Sequence, residues 1–339
     1  MELEERLARV LRGTSEVLVE SELRDLLARK EHPRAYIGYE PSGPFTIGQL
    51  VTIRKILDLE EAGFDVTVFL ADWHALINDK LGGSLERITE AGKVMEKVIR
   101  ALGGGDRVQF RWASDLTGNG AYWSRVIRSA KAMTLARAKR AMTIMGRTES
   151  EADVDSAKLF YPAMQVADIF ELGVDLAYGG MDQRRAHVLA REVAAKNGWP
   201  VPIALHTPLV SSLKGGGRMN PGEEGLMEKK MSKSDASTAA YAGDSEEILR
   251  ERIKGAFCPA RETEGNPVVE LAVNLVMTWE GALTIERAEK HGGRVSFSSP
   301  ELFQAAWKEG KLHPLDLKAA VAESLVRILA PVRALAGQP

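Results

Sequence analysis

Residues 35–71 read AYIGYEPSGPFTIGQLVTIRKILDLEEAGFDVTVFLA, and their pattern predicts a β-α-β unit. The stretch opens with a short apolar run at 35–39, which the small residues of Pro41-Ser-Gly43 end. It closes with a β-branched run at 65–71, of the kind that is buried on both faces of a parallel sheet. Between the two runs, apolar residues recur with helical spacing over about 47–62, and Gly63 follows where a left-handed C-cap is favoured.

The same alternation continues along the chain. Three further helix–strand pairs are predicted, with helices at 84–102, 161–172 and 182–197 and strands at 108–112, 174–178 and 203–206. Alternation of this kind predicts an α/β fold with an open, doubly wound parallel sheet of the Rossmann type. Such sheets bind ligands beyond the carboxyl ends of their strands, where three polar or glycine-containing segments fall: 41–48, 71–74 and 179–183.

The rest of the chain departs from this rhythm and suggests a division into domains. We expect N-terminal helices at 1–34, a sheet domain at 35–213 with a helical insertion at about 116–160, a Gly-rich loop at 214–240 and an α-helical domain at 241–339. The insertion carries seven basic residues and no acidic one between Leu116 and Thr148. An apolar stripe accompanies them and is a candidate dimer contact: Met133, Leu135, Ala138, Met142 and Met145.

Composition excludes several classes of protein. The chain has 339 residues, of which 45% are hydrophobic and 27% charged, as in a globular protein, and a net charge of −2 excludes a wholly basic nucleic-acid coat protein. The single cysteine, Cys258, excludes disulfide frameworks and thiolate zinc sites. The histidines and acids show no metal-ligand spacing, so no protein-bound metal is expected. No apolar run approaches the roughly 20 residues of a membrane span, and the charged start is unlike a signal peptide, so we expect a cytoplasmic location.

Two motifs indicate phosphate chemistry. Pro41–Gly48 is a small-residue turn at a helix N-terminus, where free backbone N–H groups can cradle a phosphate, although most such turns are only turns. Lys230-Met-Ser-Lys-Ser234 lies on the Gly-rich loop, and its two lysines can close over a triphosphate and stabilise developing charge. A basic loop alone is usually only solvated. An intact KMSKS string in this topological place is much more specific.

Together the two motifs resemble the signatures of class I aminoacyl-tRNA synthetases, and within that class the chain resembles the tyrosyl-tRNA synthetases of the archaeal and eukaryotic type. The matching stretches occur in family order: Tyr36–Gly43, Leu70–Ala75, Tyr161–Asp168, Gly179–Arg184, Phe257–Pro259, Glu264–Asn266 and Leu312–Lys318. The resemblance implies a tyrosine–tRNA ligase that takes ATP with Mg²⁺ as co-substrate and holds no tightly bound cofactor. It also implies L-tyrosine and tRNA-Tyr as partners and a homodimer formed through the insertion.

The resemblance also implies roles for particular residues. Tyr36 and Asp168 would donate to and accept from the substrate phenol, which is both a donor and an acceptor, so phenylalanine would leave two buried groups unpaired. The other tyrosine-binding positions are His74, Tyr161, Gln165 and Gln183. The expected ATP-binding residues are Ser42, Gly43, Thr46, Gly48, Lys230, Met231, Ser232, Lys233 and Ser234, and the expected catalytic ones are Thr46, Gly48, Gln49, Lys230 and Lys233. The expected tRNA contacts are Arg137, Lys139 and Arg140 in the insertion and His291, His313 and Asp316 near the C-terminus.

The ATP-binding tetrad departs from the family pattern. Thr46 and Gln49 stand where two histidines are usual, and they keep hydrogen-bond donors but no charge. Tryptophanyl relatives commonly carry Thr-Ile-Gly-Asn at this place. Two alternatives to the tyrosine enzyme therefore stay open: a tryptophanyl-tRNA synthetase, or a catalytically silent paralogue that binds RNA or tyrosine. The Tyr36 and Asp168 pair favours tyrosine over tryptophan. Among the other histidines, His32 and His206 are expected to be structural, and His187 could serve either purpose.

Overall fold

The computed structural model describes residues 1–142, 155–215, 231 and 239–336. Within these ranges a six-stranded sheet has the order β1-β6-β5-β2-β3-β4. All neighbouring strands pair in parallel except β1, which is antiparallel to β6. The strands are β1 Glu16–Leu18, β2 Arg34–Tyr39, β3 Asp65–Leu70, β4 Val108–Trp112, β5 Leu176–Gly180 and β6 Ile203–Thr207. The predicted α/β fold with a doubly wound sheet is confirmed.

The chain divides into two compact units, one formed by Met1–Gly43 with Lys55–Thr207 and the other by Pro44–Arg54 with Pro208–Pro339. Ten helices accompany the sheet strands along the described chain: α1 Leu3–Leu11, α2 Glu20–Arg29, α3 Leu50–Glu61, α4 Asp72–Ile77, α5 Leu85–Ala101, α6 Ala113–Thr117, α7 Gly120–Ala132, α8 Leu135–Met142, α9 Tyr161–Glu171 and α10 Arg184–Asn197. Short 3₁₀ turns precede α3, α9 and α10, at Ile47–Gln49, Ser156–Leu159 and Met181–Gln183. The C-terminal part of the second unit is mainly helical.

That C-terminal part contains six α-helices and one small hairpin among its described residues. The helices are α11 Glu246–Gly255, α12 Pro267–Leu271, α13 Met277–Glu280, α14 Pro300–Lys308, α15 Pro314–Ile328 and α16 Ala330–Ala336, and a π-helical turn, Ala272–Val276, joins α12 to α13. Strands β7 Leu283–Ile285 and β8 Val295–Phe297 form the antiparallel hairpin. The prediction of an all-helical segment missed this hairpin because strands of three residues are too short to show a period.

Two differences concern the sheet. The segment expected to be only helical at 1–34 contributes β1, a three-residue edge strand whose register sets Glu16 opposite His206. The strand predicted at 174–178 lies two residues later, at Leu176–Gly180, because α9 is followed by a left-handed Gly173 and a turn.

Of the Gly-rich loop expected at 214–240, residues 216–230 and 232–238 lie outside the described residues.

The connectivity of the sheet places its ligand crevice. β2 pairs with β3 on one side and with β5 on the other, so the chain winds outward through β3 and β4 and then crosses back to β5. Open α/β sheets bind ligands beyond the carboxyl ends of the two strands where the winding reverses. Here these ends are Tyr39 and Gly180.

Helices α7, α9 and α10 pack together over a hydrophobic core beside this crevice. The core takes Tyr36 and Phe69 from the strands and Tyr122 from α7, all of them buried. A polar side chain that projects into this core therefore needs partners within the protein or a ligand.

Along the described helices, none combines the length and the apolar character needed to cross a membrane.

Close packing of α5 on β4 gives a test of this unit. A methyl group at Gly92 would lie 2.3 Å from Cη2 of Trp112. Alanine is favoured over glycine within a helix by up to about 1 kcal/mol, but the clash should outweigh that gain. We expect Gly92→Ala to lower the free energy of unfolding by about 1–3 kcal/mol in urea titrations.

Gly118→Ala is the matched control, because no atom lies within 4 Å of a methyl group built there. Its unfolding free energy should stay within about 0.5 kcal/mol of the wild-type value. A Gly92→Ala protein as stable as this control would contradict the close approach of α5 to Trp112.

Candidate functional site

Helix α9, which packs over the core beside the crevice, holds a buried carboxylate. Asp168 on α9 is 1% exposed, and its Oδ1 accepts a hydrogen bond of 2.9 Å from the Tyr122 hydroxyl. Its Oδ2 lies 3.1 Å from Nε2 of His74, which follows β3 at the start of α4 and is also buried. Among the described residues, each oxygen of Asp168 therefore has one such polar neighbour, and each keeps a lone pair for a further donor.

The two phenol groups near Asp168 keep their protons, and the pKa of the nearby histidine is also raised. Burial raises the pKa of the Tyr36 phenol well above its ordinary value, and the Asp168 carboxylate adds to that shift. The same two causes raise the pKa of Tyr122. Burial alone would lower the pKa of His74, but the Asp168 charge and hydrogen bonding outweigh it and raise that pKa. Tyr36 therefore remains a hydrogen-bond donor throughout the neutral pH range.

Local sequence explains where the Tyr36 hydroxyl lies. Residues two apart on a strand share a face, and Gly38 is two residues beyond Tyr36 on β2. A Cβ atom on Gly38 would lie 2.5 Å from the Tyr36 oxygen. The glycine is thus needed for the phenol to lean along the strand toward its carboxyl end.

A second polar group lies on the same face of α9. Tyr161, Gln165 and Asp168 follow one another at i, i+4 and i+7, as the sequence indicated. The Tyr161 hydroxyl donates to Oε1 of Glu40 over 2.5 Å, and its ring meets the His74 ring edge-on at 5.0 Å. Gln165 donates through Nε2 to Oε1 of Gln183 over 3.0 Å.

The structure thus brings the six residues expected to bind tyrosine into two connected groups within the first unit. It adds two residues that the sequence analysis missed, Glu40 and Tyr122. Glu40 directly follows β2 and lies within the matching stretch Tyr36–Gly43, which was a usable signal. Tyr122 gave none, because it is 46 residues from Asp168 and lies in a segment interpreted as an insertion for RNA and dimer contacts.

The tetrad Thr46–Gln49 belongs to the second unit, and its two unusual residues do different things. The backbone N–H of Thr46 donates to Oε1 of Gln49 over 3.0 Å, and the Thr46 side chain accepts from the backbone of Gln49, which forms a capping box. Thr46 is buried at 3% exposure. Because Oε1 of Gln49 is used within the box, its NH₂ group is left to donate elsewhere, and no residue in the described ranges accepts from it. The side chain of Thr46 therefore stabilises the turn, while the NH₂ group of Gln49 remains as a hydrogen-bond donor.

Gly48 and Met231 bring the two signature motifs together. A Cβ atom on Gly48 would make ordinary contacts, at 3.6 Å from Val210 and 3.7 Å from Met231. The described protein atoms therefore do not demand a glycine here. The buried Met231 donates its N–H to the Val210 carbonyl over 2.9 Å. Lys230, Ser232, Lys233 and Ser234 of the same motif lie outside the described residues, while Ser42 and Gly43 follow β2 in the first unit.

The basic residues of the insertion form one run in the sequence, but in the structure some are in ion pairs and others are exposed. Arg125 pairs with Glu171 of α9 at 3.0 Å, and Arg137 pairs with Glu192 of α10. Lys139 and Arg140 are exposed. The expected apolar stripe is divided, because Ala138 is buried, Met133 packs partly on the core and Leu135 is exposed, while the side chains of Met142 and Met145 lie outside the described set.

The three residues expected to meet tRNA near the C-terminus share one cavity. His291, His313 and Asp316 line a space of about 540 Å³ in the second unit. His313 also caps α15, because its Nδ1 accepts the N–H of Leu315 over 3.2 Å. The neutral His313 ring must then carry its proton on Nε2, where it can donate to a ligand.

Comparison with known proteins identifies the family. The model of class I tRNA synthetases of the W and Y type matches residues 28–330. The chain belongs to this family. A tyrosine–tRNA ligase from Aeropyrum pernix is 48% identical over 346 residues, which cover 100% of this chain and 95% of the relative. One from Sulfolobus acidocaldarius is 45% identical, covering 98% and 94% of the two chains.

A crystal structure of tyrosyl-tRNA synthetase complexed with L-tyrosine, from Archaeoglobus fulgidus, superposes with a TM-score of 0.88. It is 39% identical and covers 98% of this chain and 99% of that one. The prediction of an aminoacyl-tRNA ligase with a class I fold is confirmed. Among the described residues of this family member, no group of His, Cys, Asp and Glu side chains could hold a metal ion.

A buried histidine pair joins β6 to α10 beside the crevice. Nδ1 of His187 lies 3.0 Å from Nε2 of His206, and Nδ1 of His206 lies 2.9 Å from Oε2 of Glu16 on β1. Arg184 donates to the same Glu16 carboxylate over 2.9–3.0 Å. Since Glu16 can only accept, the protons run from His187 to His206 to Glu16 when both rings are neutral. Both histidines therefore tie the edge strand to α10.

This pair predicts a pH dependence of stability. Burial, with the neighbouring His206, lowers the pKa of His187 from 6.5 to about 3. Between these two pH values the unfolded chain binds a proton that the folded one does not, so stability falls as the pH falls through this window. We expect the unfolding free energy to depend less steeply on pH between 7.5 and 5 in His187→Gln, because glutamine can still donate to His206 but does not titrate.

Urea titrations at pH 7.5, 6 and 5 measure this difference, with His32→Gln as a control at an exposed histidine. The control should follow the wild-type dependence. If His187→Gln and the wild type lose equal free energies between pH 7.5 and 5, His187 is not held neutral by the fold.

Proposed function

We propose that this family member is a tyrosine–tRNA ligase, which activates L-tyrosine with ATP to tyrosyl-adenylate and then transfers the tyrosyl group to tRNA-Tyr. The observation that carries the proposal is the burial of two polar groups, the Asp168 carboxylate on α9 and the Tyr36 phenol on β2, at the core that α9 shares with the strands. A phenol hydroxyl both donates and accepts, and this pair supplies one acceptor and one donor. The curated relatives with the high identities given above carry the same name.

The pocket floor also separates the competing amino acids. Phenylalanine would leave both Tyr36 and Asp168 buried without partners, which is strongly unfavourable. The indole of tryptophan has a donor N–H for Asp168 but no acceptor for Tyr36. Tyrosine is therefore favoured over tryptophan, in agreement with the names of the relatives.

In the first step the tyrosine carboxylate attacks the α-phosphorus of ATP, a new O–P bond forms, and pyrophosphate leaves. Tyr161, Gln165 and Gln183 supply the polar face that would hold the ammonium and carboxylate groups of the substrate. The NH₂ group of Gln49 would donate to the phosphates, and Lys230 and Lys233 would neutralise the charge that grows on the leaving pyrophosphate. Mg²⁺ would enter with ATP.

In the second step a hydroxyl of the terminal ribose of tRNA attacks the tyrosyl carbonyl, and AMP leaves. No general base is assigned, so positioning of the reactants supplies most of the rate. Arg137, Lys139 and Arg140 are proposed to meet tRNA from the insertion, and His291, His313 and Asp316 from the C-terminal cavity.

A homodimer through the insertion is consistent with Trp123 and Ile127, which α7 exposes by 37% and 62%. The expected domain roles and the cytoplasmic location remain predictions.

Tyrosine-dependent exchange of pyrophosphate into ATP tests the proposal directly. We expect exchange with tyrosine and far less with phenylalanine or tryptophan at equal concentrations. Exchange that is greater with tryptophan would establish the tryptophanyl alternative. No exchange with any amino acid at saturating ATP would indicate the catalytically silent paralogue.

The pocket floor can be tested with two conservative variants. Tyr36→Phe removes one neutral donor and should lower kcat/KM for tyrosine by about 10-fold, while Asp168→Asn removes a charged acceptor and should lower it by about 100-fold. The KM for ATP in the exchange assay is the internal control and should change little. Near-normal kcat/KM for tyrosine in both variants would refute the assignment of the pocket.

The roles assigned to the tetrad predict the behaviour of Gln49→Glu. Glutamate keeps the oxygen that caps Thr46, so thermal stability should be preserved, but it replaces the NH₂ donor with negative charge facing the phosphates. We expect kcat for exchange to fall by about 100-fold. Gln109→Glu makes the same chemical change at an exposed position of β4 and should leave the exchange rate unchanged. Normal exchange in Gln49→Glu would contradict a phosphate contact.

A further inference from the structure

Arg261 has a backbone conformation that arginine rarely adopts. Its φ is +66°, in the left-handed region that favours glycine. Its guanidinium packs against the chain at Gly310, where a Cβ atom would be 2.5 Å from Nε and 3.0 Å from Cζ of Arg261. An arginine that keeps a strained backbone, and whose guanidinium packs against a glycine, requires a functional explanation.

Arg261 lines the C-terminal cavity together with two other cations, and those two are already engaged. The guanidinium of Arg287 donates to the carbonyls of Gly293 and Lys311 over 2.9 and 3.1 Å. The ammonium of Lys311 pairs with Glu309 at 2.5 Å. Arg261 has no acceptor or ion-pair partner in the part of the chain that the structure describes. Its charge is therefore available to a ligand of the cavity.

The rest of the lining shows what kind of ligand fits. Asp316 contributes a carboxylate with no hydrogen-bond partner in the described ranges, and His313 contributes an Nε2–H donor. A small anion alone would be repelled by Asp316. A nucleotide matches all three groups, because the edge of its base carries both donors and acceptors and its phosphate is an anion. Unpaired RNA bases are the ones that can enter such a cavity.

We propose that Arg261 binds the backbone phosphate of an unpaired tRNA nucleotide whose base occupies the cavity lined by His291, His313 and Asp316. This inference rests on the proposed function, since the RNA is the substrate of the second step. Arg261 thereby adds to tRNA affinity and not to amino-acid activation. The cost of its left-handed backbone is retained because a glycine, which would fit better, carries no charge.

The proposal predicts opposite changes in stability and in tRNA binding when Arg261 is replaced. Arg261→Gly removes the strain and should raise the melting temperature by about 1–3 °C. The same change should raise the KM for tRNA in aminoacylation by about 10-fold, with kcat little affected. Because one phosphate contact is lost, the slope of log Kd for tRNA against log salt concentration should fall by about 1. Arg261→Lys keeps the charge, so its KM for tRNA should lie between those of the wild type and Arg261→Gly. Arg294→Ala, an exposed arginine outside the cavity, is the matched control.

Tyrosine-dependent exchange of pyrophosphate is measured on the same proteins. If it is absent in the wild type, the proposed function fails; if it is normal, the tRNA measurements judge Arg261 alone. An unchanged KM for tRNA in Arg261→Gly, or a loss no larger than in Arg294→Ala, would overturn the proposal. A loss that varies with the identity of the base entering the cavity, with an unchanged salt slope, would also overturn it, because a phosphate contact is indifferent to the base.

Discussion

Asp168 places a carboxylate in the interior of the first unit, and the surrounding side chains are arranged around that charge. Burying a carboxylate without partners costs several kcal/mol. A hydrogen bond to a charged group returns about 1.5–3 kcal/mol, and here the Tyr122 hydroxyl donates one, while the His74 ring lies 3.1 Å from the other oxygen. The remaining lone pairs are left for a further donor. It is at this carboxylate that the proposed function places the phenol hydroxyl of the substrate.

The fold was predictable where the chain has strong periodicity. The runs at 35–39 and 65–71 and the helix between them have the alternation that a parallel sheet needs, and they form β2, α3 and β3. β1 was not predictable, because three residues carry no period and its pairing is fixed by Glu16 meeting His206 and Arg184 from distant parts of the chain. The β7–β8 hairpin was missed for the same reason of length.

The candidate site shows the same limit at the level of side chains. The face formed by Tyr161, Gln165 and Asp168 follows from helical spacing and could be recognised in the sequence. The donors that complete it are non-local, and Tyr122 in particular meets Asp168 only through the packing of α7 on α9. Motif comparison also gave Thr46 and Gln49 equal roles. Only geometry separates them, because a capping box consumes the hydroxyl of Thr46 and the amide oxygen of Gln49 and leaves the amide NH₂.

Glycines in the two units mark which constraints come from the protein and which come from ligands. Gly38 and Gly92 are required by neighbouring side chains, since a Cβ atom there would lie 2.5 Å and 2.3 Å from Tyr36 and Trp112. Gly48 has room for a methyl group among the described atoms, so packing within the described residues does not require a glycine there. Arg261 is the converse case, because its backbone would favour a glycine and the chain carries a cation instead. A residue that packing does not require, or whose backbone conformation is unfavourable for it, needs an explanation other than the fold. In this chain Arg261 lines the C-terminal cavity, and Gly48 lies in the turn that is proposed to meet ATP.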